Sequence, residues 1–129
     1  MVKNEAELLA RLRTLPDHDF SPPRSVVFAD RDFNLLSFAE QLRTMVATDV
    51  LVGPHGAGLT HNIFMPDRAR LVEIQIDGST SLKHFNNLCT WRRGRDHYKA
   101  IEQSPNPVAV ENVFAAVVTA LEKIDVESY

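Results

Sequence analysis

Asp49-Val50-Leu51-Val52-Gly53-Pro54-His55-Gly56-Ala57-Gly58-Leu59-Thr60-His61-Asn62 decides the fold of this 129-residue chain. Its first half is apolar in succession rather than alternating, as in a strand buried on both faces of a parallel sheet. Its second half is a glycine-rich turn that opens into a helix expected over Leu59 to Met65. A strand, a tight turn and a helix in that order form the first half of a β-α-β unit.

The same alternation extends outward. Upstream, Ser37 and Glu40 have the spacing of a capping box, opening a helix with Phe38, Leu42, Met45 and Val46 on one face. Ser25 to Ala29 predicts a strand before it. Asn4 and Glu7 predict an earlier helix with Leu8, Leu9, Leu12 and Leu15 on its apolar side. Downstream, strands are expected over Arg70 to Ile76 and His97 to Ile101, with a helix over Ser81 to Trp91 between them. Asn106 is expected to cap a last helix with Pro107 in its first turn, and Val110, Val113, Phe114, Val117, Val118 and Leu121 facing the core. The expected fold is a single α/β domain over residues 1–129, with helices on both sides of a mostly parallel sheet of about four strands. The first helix has no strand before it, so a truncated N-terminal side, with a strand just upstream of Met1, is expected.

Composition narrows the function classes. Lys and Arg number 14 against 17 Asp and Glu, a net charge of −3, which disfavours a nucleic-acid partner. The lone Cys89 excludes an intrachain disulfide and a cysteine-built zinc site. Neither a signal peptide nor a membrane-spanning run is visible.

Ligands of open parallel sheets bind at the carboxyl ends of the strands. That places Asp30 to Asn34, the Gly53 to Gly58 loop, Asp77 to Thr80 and Glu102 to Asn106 at one edge. The run Arg92-Arg93-Gly94-Arg95 falls at the other, as a solvated loop. In the Gly53 to Gly58 loop the glycines allow close backbone approach, and the free N–H groups opening the next helix favour an anion such as a diphosphate. His55 and Thr60 add donors. The spacing is G-x-x-G-x-G, which is neither the dinucleotide fingerprint nor a P-loop. No carboxylate stands at metal-ligand spacing beside His55 and His61, so no metal is expected. Glu73, between Val72 and Ile74, is either a partnered core carboxylate or a ligand for hydroxyl groups.

The segment from Asp49 to Pro66, with Leu71-Val72-Glu73-Ile74 behind it, resembles the signature of glycosyltransferase family 61. Ser37-Phe38-Ala39-Glu40-Gln41 and Asn4-Glu5-Ala6-Glu7-Leu8 are similar to weaker motifs of that family. The resemblance implies a Rossmann-like, three-layer α/β/α domain, the C-terminal donor-binding half of a GT-B enzyme. It implies inverting, metal-independent transfer from a UDP-sugar to a protein or polysaccharide hydroxyl, with the donor itself and no further cofactor. Gly53, His55, Gly56, Ala57, Gly58 and Leu59 would cradle the diphosphate, Thr60 and Asn62 would support the helix start, and Glu73 would contact ribose or uracil. The acceptor domain and an arginine-bearing strand of the family are absent from the chain, so a partner domain or chain is expected to complete the active site, and no catalytic residue is identified. Uncovered apolar surface also predicts a dimer or higher assembly. In a eukaryote the family implies a secretory-pathway lumen. Two other readings stand beside it. One is a non-catalytic domain that binds a nucleotide or a protein. The other is an esterase, because His55-Gly56-Ala57-Gly58 resembles an oxyanion-hole motif, although no G-x-S-x-G elbow is present.

Overall fold

The computed structural model describes residues 2–54, 64–76 and 97–124. Helix α1 (Glu5–Leu12) is followed by a 3-10 turn at Leu15–Asp17 and another at Phe33–Leu35. Then come α2 (Phe38–Val46), β1 (Val50–Pro54), β2 (Arg70–Ile76), β3 (Tyr98–Ser104) and α3 (Val110–Glu122). The three strands form one parallel sheet in the order β1-β2-β3. The expected helices over 59–65 and 81–91, the loop at 77–80 and the arginine run lie wholly or largely outside the described residues.

The sheet sorts its side chains by period two. Val72 and Ile74 of β2 point to one face, together with Val50 and Val52 of β1. There they meet Leu8 and Leu12 of α1 and Val113, Phe114 and Val117 of α3. Leu51 turns to the opposite face, where it packs with Met45 of α2, Met65 and Ala69. Helices therefore flank both faces, as expected for an α/β domain. The apolar stripe predicted for α2 is only partly used: Met45 is 1% exposed, whereas Phe38 is 66% and Val46 58% exposed. The helix has nine residues and is buried only at Met45, near its C-terminal end. Its capping box is complete, since Ser37 Oγ accepts the Glu40 N–H at 3.2 Å and Glu40 Oε1 accepts the Ser37 N–H at 3.4 Å.

Three sequence expectations are corrected. Ser25 to Ala29 belongs to no strand, so the described sheet has three strands rather than four. The segment keeps a strand-like alternation, with Val26 and Phe28 packed on the core and Val27 90% exposed. It follows a stretch tied to the end of α3 by side chains instead of a ladder. The Ser21 N–H donates to Glu122 at 2.8 Å, and the Arg24 guanidinium donates to the carbonyls of Leu121 and Ile124. Those carbonyls lie at and just beyond the C-terminal end of α3, where the arginine adds donors to the backbone bonds that close the helix.

The other two corrections concern caps: Asn4 stands at the N-cap position of α1, as its sequence predicts, but makes no cap bond, and Asn106 stands outside the last helix. Neither side chain caps a helix: α1 has no side-chain cap bond, and α3 starts later, behind Ala109. Both amides instead join the chain ends. Asn4 accepts the Val108 N–H at 2.9 Å and donates to the Val108 carbonyl at 3.0 Å, copying a strand pair with one side chain. The Asn106 carbonyl oxygen accepts the Lys3 N–H at 2.8 Å. Arg11 adds a two-pronged bond to Glu111 and lies 3.6 Å above the Phe114 ring centroid.

Asn4→Ala is expected to cost about 1–3 kcal/mol, because it leaves both polar groups of Val108 unpaired in a part-buried seam. Asn4→Asp should recover only part of that, since a carboxylate accepts but cannot donate. Urea unfolding of the two variants beside the parent chain measures both effects.

Candidate functional site

β1 ends on Gly53 and Pro54, and Pro54 is exposed, so the chain leaves the sheet at its carboxyl edge. His55, Gly56, Ala57, Gly58, Leu59, Thr60 and Asn62 lie outside the described residues. Gly53 and Glu73 are within them and are register partners: Gly53, Glu73 and Ala100 form one row across β1, β2 and β3. Gly53 brings no side chain to that row, and Ala100 brings one methyl group, leaving Glu73 its only polar side chain.

Glu73 is fully buried. The Tyr98 hydroxyl donates to its Oε1 at 2.5 Å, and the Gln75 amide nitrogen donates to the same oxygen at 3.4 Å and to the Tyr98 hydroxyl oxygen at 3.2 Å. Tyr98 pairs in register with Leu71, one pleat below Glu73, and its ring spans the diagonal between them. Among the described residues the buried carboxylate is thus held by a phenol and an amide. Gln75 is itself 4% exposed, and its Oε1 has no hydrogen-bond partner among the described residues.

Sequence reasoning singled out Glu73 and missed Tyr98 and Gln75. Gln75 lies two residues on, along the same strand face, a period-two signal that was available. Tyr98 was not available, because nothing in a sequence states the register between two parallel strands separated by a crossover.

The amino edge of the sheet is tied down by polar contacts. Arg68 Nε donates to Asp49 Oδ1 at 3.0 Å, the Arg70 N–H donates to the Asp49 carbonyl at 2.8 Å, and His97 Nδ1 lies 2.8 Å from the Ala69 carbonyl. Partial burial pushes the Asp49 carboxyl above its ordinary value, and the Arg68 guanidinium pulls the other way. A carboxyl whose folded value is raised stabilises the fold most when protonated, and that contribution is lost as pH rises through the folded value. No group of three His, Cys, Asp or Glu side chains that could hold a metal occurs among the described residues. No described helix is long and apolar enough to cross a membrane.

A family model described as glycosyltransferase 61 matches residues 1–72. The EGF domain-specific O-linked N-acetylglucosamine transferase of Bos taurus is 37% identical over 98 residues, covering 71% of this chain and 18% of the bovine protein. Proteins of the same description from Pan troglodytes and Drosophila melanogaster are 37% and 38% identical over 73 residues, which is 57% of this chain. Those stretches cover 13% and 12% of the two relatives. The chain therefore spans less than a fifth of the length of the curated relatives it matches. No solved structure matches it.

Two outcomes are expected here. Arg68→Ala should destabilise the chain by about 0.5–1 kcal/mol at pH 7, the range of a solvent-screened pair. The loss should shrink toward pH 4, where Asp49 takes up a proton and no longer needs the cation; equal losses at both pH values in urea titrations would mean Arg68 acts through packing. Tyr98→Phe should cost about 1–3 kcal/mol, because it takes a donor from a buried carboxylate. Glu73→Gln in the Tyr98→Phe background should recover part of that loss, by removing the buried charge.

Proposed function

The chain belongs to glycosyltransferase family 61, and on that premise we propose that it is the donor-binding part of such an enzyme, holding the diphosphate of a UDP-sugar on the Gly53 to Gly58 loop. What supports this reading is where β1 ends: the strand reaches the carboxyl edge of a parallel sheet at Gly53 and Pro54, and the register partner of Gly53 is the buried Glu73. Ligands of such sheets collect at that edge.

In this reading the diphosphate is held mainly by main-chain N–H groups at the start of the segment that follows Gly58. His55 and Thr60 donate to phosphate oxygens, and Asn62 supports the helix start. Anion binding of this kind needs close approach of the backbone and the positive end of a helix dipole, not a cation. The donor is therefore taken up without metal. Transfer inverts the anomeric carbon, and an acceptor-binding part outside this chain completes the active site.

In this reading Glu73 contacts ribose or uracil from the row it shares with Gly53. N-acetylglucosamine is the sugar to test first, because the relatives' descriptions name its transfer.

Titration calorimetry with UDP and with UDP-N-acetylglucosamine tests the proposal. Gly56→Val and Gly58→Val should abolish binding, since a β-branched side chain blocks the approach and resists positive φ. His55→Ala should weaken binding by about 1–3 kcal/mol, the scale of one lost hydrogen bond to a charged group. EDTA should change nothing. Affinity that survives Gly58→Val, or that needs manganese, overturns the proposal.

A further inference from the structure

α3 covers the sheet unevenly. Val113, Phe114 and Val117 turn toward α1 and the β1–β2 side of the core. A groove of about 630 Å3 opens between the other flank of the helix and the first half of β3. Ala115, Ala116 and Thr119 form the helix wall, and small side chains there leave room along the strand.

The charge of the groove is one-sided. Arg70, His97, Lys99 and Lys123 line it, and no Asp or Glu among the described residues does. The chain as a whole carries −3, so this basicity is local. The acids of α3 that flank the groove are engaged on the opposite side: Glu111 pairs with Arg11 at 3.0 Å, and Glu122 accepts the Ser21 N–H at 2.8 Å. Lys99 and Lys123 are exposed, and neither ammonium group is in an ion pair among the described residues. β3 pairs with β2 alone among the described residues, so its outer edge offers backbone donors and acceptors.

We propose that this groove binds an extended, acidic polypeptide segment, laid along the outer edge of β3 with its carboxylates on Lys99 and Lys123. A strand edge that no other described strand covers selects a polypeptide, because only a second backbone can continue the ladder. Alternation along the added strand sends every second side chain to the α3 side, where the cations stand. The cationic lining then favours acids at those positions and disfavours a second copy of the same groove. The groove borders the first halves of β2 and β3, away from the carboxyl edge, so this proposal stands apart from donor binding.

Fluorescence anisotropy of the whole chain with a labelled alternating Glu-Val octapeptide tests it. Saturable binding at low salt is expected, weakening as salt rises. The double variant Lys99→Glu/Lys123→Glu should weaken it by about tenfold or more, because two attractions become repulsions. Both lysines are exposed, and circular dichroism confirms that the variant folds. An octapeptide N-methylated on alternate residues should not bind, since it cannot complete the ladder. No binding of the parent peptide, undiminished binding to the double variant, or equal binding of the N-methylated peptide overturns the proposal. Tighter binding of heparin than of the peptide also overturns it, by assigning the groove to sulfated glycans.

Discussion

β2 is buried continuously from Leu71 to Gln75, with partners along both edges and side chains covered on both faces. A strand in that position must have every backbone group paired and every side chain housed, because water reaches none of them. The pairing is met by β1 and β3. The apolar side chains are met by α1 and α3 on one face and by the Met45 and Met65 cluster near Leu51 on the other. The polar ones, Glu73 and Gln75, need their own partners, which is why a phenol from β3 is brought across the sheet to the carboxylate.

Much of the tertiary arrangement around β2 is set by side chains that pair with distant backbone. Asn4 closes a strand-like pair with Val108, Asn106 takes the Lys3 N–H, and Arg24 adds donors at the end of α3. Each joins segments about a hundred residues apart, so the first and last quarters of the chain form one seam beside the sheet. In a domain of this size such contacts link the ends of the chain into the same cooperative unit.

The two ends of the strands are chemically distinct. At the amino edge, Asp49, Arg68, Ala69 and His97 tie β1, β2 and β3 together. At the carboxyl edge the chain leaves β1 through Gly53 and Pro54, above a row with a single buried carboxylate. Under the proposed function, the tied amino edge anchors the strands while the exit from β1 presents backbone donors to an anion. Membership of glycosyltransferase family 61 gives that edge its candidate ligand, and the basic groove beside β3 lies at the other end of the same strands.

β1 was legible in the sequence because an uninterrupted apolar run has few other uses in a chain of this composition, and β2 and β3 because short strand-like runs alternate with helical periods. The Ser37 and Glu40 capping box was legible because both halves of it are local. That Glu73, set between Val72 and Ile74 in a buried strand, would need a partner was legible for the same reason. Asn4 and Asn106 have the chemistry of helix caps, and the sequence holds no sign that each faces the opposite end of the chain. The pattern of Val26, Val27 and Phe28 is that of a strand, yet a ladder needs a neighbour in register, and the Arg24 and Glu122 contacts hold the stretch before it elsewhere. The Tyr98 to Glu73 bond belongs to the same class. Local patterns record what a residue can do with its neighbours a few positions away, whereas pairing partners across a sheet are chosen by the packing of the whole chain.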